Sequence, residues 1–423
     1  MSVIVQKYGG TSVADANRIR IVAERVAAAR RDGHDVVVVV SAMGDTTDEL
    51  MAMAHELTPL PNPRELDLLL TAGERIAMSL LAVAINAAGF PAASYTGSQA
   101  GIITDTAHGQ AKIIDIRPGR ILEAISKGSI VIVAGFQGVS TAYDVTTLGR
   151  GGSDTTAVAF AAVRGADVAE IYTDVPGVFT ADPRVVPEAS KLHAVSYEEM
   201  LELASSGARV LQLRAVEYAR THGVRVHVRS SFTDEPGTWV TEEDVRMEQA
   251  MISGVASDDS EAKVTLEGVP DRPGVAAAVF AAVARDGVPV DMIVQNVARD
   301  GRTDISFLVP EPDLSRLAPS MDRLVREVGA LGFGADRDVA KISLVGAGIR
   351  SHPEVLAGMF EALAAEDINL QMISTSSIRI SCVIRAADAD RAVRAVHRRF
   401  AISEEAGPRE RHTDGVQPLK DVP

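Results

Sequence analysis

Cysteine is almost absent from this 423-residue chain, in which Cys382 stands alone. A single thiol cannot form an internal disulfide, and it excludes a metal site built from several cysteines. We therefore expect a reducing, cytoplasmic compartment and a core-packing role for Cys382. The nine histidines also lack the spacing of metal ligands, so the sequence does not suggest a catalytic zinc and predicts no set of metal ligands.

The chain also lacks a net positive charge and long apolar runs. The formal net charge of −15 argues against nucleic acid or an anionic membrane as the main partner, because both are approached through basic surfaces. Apolar runs such as 36–40 and 130–134 have the length of strands and fall short of the ~20 residues that span a bilayer. No basic-then-apolar leader opens the chain. We expect no membrane insertion.

Two nucleotide-binding signatures are missing. The chain has no Walker loop of the form G-x-x-x-x-G-K-[ST], and no G-x-G-x-x-G follows its first strand. The sequence therefore gives no support to a P-loop NTPase or a Rossmann dehydrogenase.

What is present is a soluble α/β pattern rich in small aliphatic residues. Hydrophobic residues make up 46% of the chain but aromatic residues only 4%, and a chain of this length predicts two or three domains. Short β-rich runs alternate with helical patterns in the first half, which predicts parallel βαβ units. The predicted elements are strands at 3–5, 35–41, 130–134, 168–173 and 224–229 and a helix at 14–31. Ligand sites are expected beyond the carboxyl ends of such strands.

The second half repeats itself with a period of about 80 residues. The segment 262–266 recurs as 340–344, and each copy continues with a proline turn, a helical pattern and a second apolar segment. The helices are predicted at 275–285 and 354–366, and the apolar segments at 288–293 and 368–373. We expect domains at 1–247, at 262–335 and at 248–261 together with 336–402. A disordered tail is expected at 403–423.

Lys7 is the most informative single residue. It is the only lysine among the first hundred residues, and it follows an apolar strand and precedes Gly9 and Gly10. An ammonium group beside backbone that can approach closely suits a phosphate chain. The sequence therefore predicts a phosphate-handling enzyme.

A second glycine-rich segment, Gly149 to Ser153, is followed by Asp154 and an alanine-rich helical pattern. Such a helix start favours an anion, and Arg150 could grip a carboxylate with two hydrogen bonds. A glycine turn capped by Ser153 or Asp154 is the structural alternative. Pairing with the Lys7 segment favours the functional interpretation.

Three further segments lie where ligands are expected. SAMGDTTD (41–48) ends a run of five valines, TAGER (71–75) places Glu74 in an apolar helix, and YTDVPGVFTADPR (172–184) follows a strand. Each has a structural alternative as well: a helix cap, a salt bridge and a proline turn, respectively.

Together, these segments resemble the aspartate kinases, with the closest likeness to lysine-pathway enzymes of actinobacteria. The set that carries the resemblance is KYGGTS, SAMGDTTD, TAGER, GFQG, TTLGRGGSDTTA and YTDVPGVFTADPRVV, in this order and before a doubled C-terminal unit. The resemblance implies an α/β protein with an amino-acid kinase fold, a parallel-rich sheet sandwiched by helices, followed by two βαββαβ ACT domains. It also implies ATP-dependent, Mg²⁺-dependent phosphorylation of the β-carboxylate of L-aspartate, the first step toward lysine, threonine and methionine.

The resemblance assigns roles by motif position. Lys7, Arg150 and Asp154 would be catalytic. The aspartate-binding residues would be Ser41, Thr47, Glu74, Phe136, Arg150, Gly151, Gly152 and Ser153. The ATP-binding residues would be Lys7, Tyr8, Gly9, Gly10, Ser41, Ser153, Thr173, Asp174, Phe179, Asp182, Arg184, Arg209 and Val210. The effector residues, for lysine and threonine, would be Asp271, Gly274, Ala276, Asp291, Gln295, Asn369, Leu370, Ser376 and Ser377.

Some positions depart from the family pattern. Arg209 stands where lysine is usual, Phe179 where tyrosine is frequent, Asp367 where asparagine is common and Ser377 where glutamate is common. A missing carboxylate at 377 should weaken binding of a cationic effector, which leaves open whether feedback inhibition is retained. Pairing of ACT domains implies a homo-oligomer, and Met247 could start a shorter subunit of an α2β2 assembly.

Two alternatives remain. One is another phosphotransferase of the same fold, and the other is a non-catalytic amino-acid sensor. The doubled C-terminal unit disfavours the first, and Lys7, Arg150 and Asp154 argue against the second.

Overall fold

The computed structural model describes residues 2–242, 252–296 and 300–400. In the first part the elements follow in the order β1 (Val3–Tyr8), α1 (Ala16–Arg31), β2 (Asp35–Val40), α2 (Thr46–Leu57), α3 (Pro63–Ala87), β3 (Ala92–Tyr95), β4 (Ile102–Thr104), β5 (Ile113–Ile116), α4 (Gly119–Ser126), β6 (Ile130–Ala134), β7 (Gln137–Ser140), β8 (Val145–Thr147), α5 (Gly152–Arg164), β9 (Val168–Thr173), β10 (Ala194–Ser196), α6 (Tyr197–Ser205), α7 (Leu213–His222), β11 (Val226–Ser230) and β12 (Thr238–Thr241).

The second part contains two repeats. Its elements are β13 (Gly254–Asp258), β14 (Glu261–Pro270), α8 (Val275–Arg285), β15 (Asp291–Gln295), β16 (Arg302–Pro310), α9 (Leu314–Val328), β17 (Gly332–Asp336), β18 (Val339–Val345), α10 (Pro353–Ala365), β19 (Met372–Thr375), β20 (Arg379–Arg385) and α11 (Ala389–Phe400). Met247 and the tail at 403–423 lie outside the described residues, so the expectations about an internal start and a disordered tail stay untested.

An eight-stranded sheet forms the centre of the first part, in the order β10-β12-β11-β9-β1-β2-β6-β3. All neighbouring pairs are parallel except β11 with β12. The valines of β2 show why both faces are covered: alternate side chains point to opposite faces, and all five are buried. Helices α1 and α3 cover one face, and α4 to α7 cover the other.

Helix α3 is long and has a well-capped start. The side chain of Asn62 accepts hydrogen bonds from the backbone N–H groups of Arg64 and Glu65, and Pro63 occupies the first turn. The helix is apolar and long enough to cross a bilayer by composition, but half of its most apolar stretch is buried in the protein. It is thus a core helix, and its buried face carries Asp67, Thr71 and Glu74.

The predicted elements are mostly found within two residues of their expected ends. One exception is β1, which ends at Tyr8, three residues beyond the expected end at 5. The others are the apolar segments of the two repeats, where β15 and β19 begin at Asp291 and Met372, several residues later than 288 and 368. The preceding residues pack as loops, with Val288 and Ile368 buried. A four-stranded sheet, β5-β4-β7-β8, was not foreseen.

The repeats form two four-stranded sheets that pack against each other. The first sheet has the order β15-β16-β14-β17, and the second has the order β13-β18-β20-β19, in which β13 comes from before the first repeat. A small apolar cluster joins the sheets, with Met292 and Leu308 from one and Val339, Met372 and Val383 from the other. The sole cysteine, Cys382, is buried, and burial raises the pKa of its thiol to about 12.

A buried lysine links the three parts of the molecule. The Lys341 ammonium on β18 is 2.8 Å from a carboxylate oxygen of Asp291, 3.2 Å from Glu261 and 3.1 Å from the carbonyl oxygen of Ser205 at the end of α6. Burial alone would lower the pKa of Lys341, but Glu261 and Asp291 raise it above its ordinary value. Close by, Arg379 forms an ion pair with Glu202 of α6 at 3.0 Å. We call these residues the junction cluster.

Replacing Lys341 with Met should lower the free energy of unfolding by about 3 kcal/mol, because Glu261 and Asp291 would lose their buried counter-charge. Urea titration followed by circular dichroism measures this change. The control is Lys127→Met, which removes an exposed pair with Glu123 and should leave the midpoint unchanged. Equal midpoints for both variants would contradict the interpretation.

Candidate active site

The carboxyl ends of the central strands β9, β1, β2 and β6 meet at one edge of the large sheet. Gly9, Ser41 and Gly135 follow β1, β2 and β6, and their backbone N–H groups donate to carbonyl oxygens of neighbouring strands at 3.2, 3.1 and 2.9 Å. These hydrogen bonds extend the sheet past its last paired residues. The predicted segments around Lys7, Ser41 and Phe136 are thereby brought side by side, as expected for an open α/β sheet.

Lys7 and Asp154 come together at this edge. The Lys7 ammonium on β1 lies 2.7 Å from a carboxylate oxygen of Asp154, in the first turn of α5, and both side chains are largely buried. The amino-terminal end of a helix carries partial positive charge, so the site presents two sources of positive potential with one carboxylate between them. An anion such as a phosphoryl group would be favoured here.

The loop before α5 depends on glycine at Gly151, where φ is 75° and a Cβ atom would lie 2.4 Å from Cγ of Gln212. Gln212 in turn caps α7 and donates its backbone N–H to Asp154 at 3.3 Å. Gly135 is needed for a similar reason, because a Cβ there would lie 2.7 Å from the hydroxyl oxygen of Ser153. The close approach of backbone and side chains leaves Ser153 and Gly152 buried beside the strand ends.

Phe136 has an uncommon backbone conformation. Its φ is 67°, a region that costs a non-glycine residue energy. The strain is held by hydrogen bonds on both sides, since the backbone N–H donates to the Thr156 hydroxyl at 3.3 Å and the carbonyl accepts from Leu148 at 2.8 Å. Strained residues of this kind cluster at functional sites.

Glu74 is buried with an incomplete set of partners. One carboxylate oxygen accepts from the backbone N–H of Ala42 at 3.1 Å, and the other has no hydrogen-bond partner. Burial raises the pKa of Glu74 to about 7. A buried carboxylate with a free oxygen can receive an ammonium group, which would favour its ionised form.

The remaining residues expected to bind the amino-acid substrate lie in the segments that follow β2 and precede α5. Ser41 follows β2, and Thr47 lies in the first turn of α2. The guanidinium of Arg150 is 92% exposed and forms an ion pair with Asp48 at 3.3 Å. The exposed position leaves Arg150 able to move toward a ligand.

The segment expected to bind ATP follows β9 at this sheet edge, and part of it packs against the core of the second repeat. The Thr173 hydroxyl donates to Asp174 at 3.0 Å, and Phe179 forms an isolated bridge with Lys191. Arg184 donates to both carboxylate oxygens of Asp182, and this side-chain hydrogen bonding is the main cause that lowers the pKa of Asp182.

The same segment is anchored by the second repeat. Ala181 and Val186 pack into the apolar core of that repeat. Between them and the large sheet, the buried Thr180 hydroxyl is 3.0 Å from the Nε2 atom of His397 on α11. The conformation of the expected nucleotide loop therefore depends on contacts with the second repeat.

Three other residues expected to bind the nucleotide are Tyr8, Arg209 and Val210, and each lies in a different environment. The side chain of Tyr8 is completely buried and stacks on Tyr172, so only its backbone reaches the strand end. The Arg209 guanidinium is exposed and lies 3.7 Å from Asp259, in the turn between β13 and β14. Val210 is half-buried against the core near α7.

The residues expected to bind effectors fall into two groups. Asp291 is half-buried in the junction cluster, and the exposed Ser376 donates to Glu202 at 3.3 Å. The others lie in loops or at element ends of the two repeats, and all but the half-buried Leu370 are exposed: Asp271, Gly274, Ala276, Gln295, Asn369, Leu370 and Ser377. Asp367 has a φ of 55°, a conformation that asparagine and aspartate both tolerate, so this departure keeps the turn.

Several residues of the site escaped sequence reasoning. Gln212, Asp67 and the Ser12–Ser231 hydrogen bond of 2.5 Å were not singled out. Gln212 lies two residues after Val210, the last residue predicted in that stretch, and it precedes α7. Ser231 follows β11 at the same sheet edge. No metal-binding group of three or more histidine, cysteine, aspartate or glutamate residues occurs in the ranges that the structure describes.

Comparison with known proteins agrees with the architecture. Residues 2–230 match the model of the amino acid kinase family, and residues 264–316 and 342–400 match an ACT domain. The fold and the edge site thus define an amino acid kinase joined to ACT domains.

The chain is 57% identical over 407 residues to an aspartokinase of Mycolicibacterium smegmatis, covering 95% of this chain and 97% of that protein. It is 53% identical over 410 residues to an aspartokinase of Corynebacterium glutamicum, covering 96% and 97%. It also shares the fold of E. coli aspartokinase III in complex with aspartate and ADP (R-state), with a TM-score of 0.83 and 24% identity, covering 94% of this chain and 100% of that one. The chain belongs to the aspartokinase family and is an aspartate kinase.

Replacing Glu74 with Gln should stabilise the protein above neutral pH. The pKa of Glu74 is raised from 4.5 to about 7, so the folded state keeps a proton that the unfolded state releases as pH rises between these values. At pH 8 the Glu74→Gln variant should therefore be more stable by about 2 to 4 kcal/mol. The difference should vanish near pH 4.

Denaturant titrations of both proteins at pH 4 and at pH 8 test this expectation. Glu49→Gln, an exposed change on α2, serves as the control. A stability difference that is the same at both pH values would contradict the assigned ionisation of Glu74.

Proposed function

We propose that this aspartate kinase transfers the γ-phosphoryl group of ATP to the β-carboxylate of L-aspartate at the edge formed by β1, β2, β6 and the amino terminus of α5. The products are 4-phospho-L-aspartate and ADP. The observation that carries the proposal is the Lys7–Asp154 pair, 2.7 Å apart at that helix terminus.

The chemistry demands charge compensation more than proton transfer. An aspartate carboxylate is already ionised at neutral pH and acts as the nucleophile without a general base. In phosphoryl transfer, negative charge spreads over the oxygens of the transferred group, so positioning and electrostatic stabilisation supply most of the rate enhancement. Lys7 supplies a fixed positive charge there, and Asp154 orients it.

The amino-acid substrate fits between α3 and the glycine loop. Glu74 receives the α-ammonium group, because its second carboxylate oxygen is buried and unpartnered. Arg150 grips the α-carboxylate, with Gly151, Gly152 and Ser153 as backbone and hydroxyl donors. Ser41, Thr47 and Phe136 complete the walls of this subsite.

ATP lies along the strand ends with Mg²⁺ bound to its phosphates as part of the substrate. Magnesium keeps several waters and takes one or two protein carboxylates in such sites, and Asp154 is the carboxylate that this edge offers. Gly9 and Gly10 approach the phosphates, and the segment from Thr173 to Arg184 holds the nucleoside. Arg209 and Val210 stay the predicted residues at its border.

The regulatory part of the proposal concerns the ACT domains. Amino-acid effectors bind at the exposed loops of both repeats, and lysine or threonine are the expected effectors. Ser377 lacks the carboxylate that would favour a cation, which supports weaker lysine binding. Pairing of ACT sheets between chains gives a homo-oligomer or an α2β2 assembly, and the free, buried Cys382 is consistent with a cytoplasmic location.

Replacing Lys7 with Met should lower kcat by roughly 10² to 10³, because one pre-organised charge at the transferring group is lost. The reaction is followed in MgATP, L-aspartate and hydroxylamine, which traps the acyl phosphate as aspartyl hydroxamate. The control Lys127→Met removes an exposed lysine at the end of α4 and should retain full activity.

The same assay separates the alternatives. Hydroxamate formed from another amino acid but not from aspartate would indicate a different phosphotransferase. Binding of amino acids without any hydroxamate would indicate a sensor. Either result would end the proposal.

The KM for aspartate should rise as pH falls below about 7, because a protonated Glu74 cannot attract the substrate ammonium. The variant Glu74→Gln should show a KM for aspartate at least ~10-fold higher that no longer depends on pH in this range. Its KM for ATP should stay near that of the parent protein. An unchanged KM for aspartate would remove Glu74 from the substrate site.

A further inference from the structure

Asp67 is a buried carboxylate that the catalytic assignment does not use. It lies on α3 with a side chain that is 1% exposed. Its oxygens accept hydrogen bonds from the Thr147 hydroxyl at 2.5 Å and from the backbone N–H of Gly109 at 3.0 and 3.1 Å. The Nδ1 atom of His108 lies 2.7 Å from the same carboxylate. A buried carboxylate is costly unless it is satisfied in this way.

The three partners of Asp67 belong to two chain segments that meet in front of the glycine loop. Thr147 ends β8, and His108 and Gly109 lie in the connection between β4 and β5. The backbone N–H of Ala111 donates to the carbonyl of Thr147 at 2.9 Å. Arg214 of α7 donates to the carbonyls of Leu148 and Ala111 at 2.8 and 2.9 Å.

Thr147 and Leu148 are followed directly by the loop that carries Arg150. Gly149 is packed so closely that a Cβ atom there would lie 3.1 Å from the carbonyl oxygen of Gly109. Gly149 begins the loop, and Gly152 begins α5. The position of Gly109 therefore limits the position of the whole Gly149–Gly152 loop.

Asp67 and Glu74 lie on one face of the same helix. With Thr71 between them, the spacing is four and then three residues, which places all three on a single helical stripe, and all three are buried. The carbonyl of Thr71 accepts from the Gln137 side chain at 3.3 Å, and Gln137 pairs in register with Thr147. One rigid helix thus contacts both sides of the substrate subsite.

We propose that Asp67 and His108 are a positioning pair, which sets the distance between Glu74 and the Gly149–Gly152 loop and so the fit of the amino-acid substrate. The proposal rests on the proposed function, in which Glu74 and that loop hold the two charged ends of aspartate. For Nδ1 of His108 to donate to Asp67, its proton must lie on Nδ1. The pair acts through other residues and does not touch the reacting atoms.

The test compares substitutions by steady-state kinetics with aspartate and ATP varied separately. Asp67→Asn should raise the KM for aspartate by roughly 10- to 100-fold, because an amide cannot accept from all these donors and the loop shifts. The KM for ATP should change less than twofold. A purely structural role would lower the amount of active enzyme without separating the two KM values.

His108 provides a matched pair if the Asp67 variant fails to fold. His108→Asn keeps a donor close to the position of Nδ1 and should retain the KM for aspartate, whereas His108→Leu should raise it. The control Asp144→Asn removes an ion pair with Arg64, 2.8 Å long, at the far end of the β7–β8 hairpin and should leave both KM values unchanged.

The proposal is overturned if His108→Leu and Asp67→Asn leave the KM for aspartate within twofold of the parent, or if they raise both KM values equally. Failure of the proposed function has a separate signature. In that case Glu74→Gln itself would not change the KM for aspartate, whatever the Asp67 and His108 variants do.

Discussion

The ion pair between Lys7 and Asp154 is the interaction on which the active site depends. Two buried charges are tolerated in a protein only when they are matched, and here the match is made between the carboxyl end of a central strand and the first turn of a helix. That contact requires β1 to lie in the middle of the sheet and α5 to begin immediately above it. The glycines at 135 and 151 allow this approach, since any side chain there would collide with Ser153 or Gln212.

Helix α3 supplies the second constraint. The helix as a whole is apolar and long enough to resemble a membrane segment, but its buried face carries two carboxylates with different hydrogen-bond partners. Asp67 has donors for both of its oxygens, whereas Glu74 keeps one oxygen without a partner and a pKa near 7. The satisfied group stabilises the local structure, and the unsatisfied one costs stability in exchange for substrate recognition. Such a trade is common where binding needs a group that folding alone would not place there.

The regulatory repeats are joined to the catalytic half by polar and apolar contacts. Lys341 and Arg379 attach both repeats to α6, while Ala181 and Val186 bury part of the nucleotide segment in the second repeat. The nucleotide segment also contacts the second repeat directly through the Thr180 hydroxyl and His397 of α11, 3.0 Å apart. Asp291, one of the residues expected to bind effectors, lies at this junction, where its carboxylate is 2.8 Å from the Lys341 ammonium.

Much of the fold could be predicted from the sequence, because strands, helices and repeats produce recognisable patterns over short stretches of the chain. Five consecutive valines predict a strand buried on both faces, and the recurrence of 262–266 at 340–344 predicts a doubled unit. The motifs around Lys7, Glu74 and Asp154 also predicted the family, because the set and its order resemble those of the aspartate kinases.

Tertiary structure alone decided which of these groups meet and in what state. The hydrogen bonds that Thr147 and Gly109 donate to Asp67 join residues far apart in the chain. The unpartnered carboxylate oxygen of Glu74 results from burial that no local pattern encodes. The exposed position of Arg209, 3.7 Å from Asp259, likewise follows from where the turn between β13 and β14 lies in the folded protein. Charge and periodicity are properties of the chain, whereas desolvation and long-range hydrogen bonding arise only when separate segments share one interior.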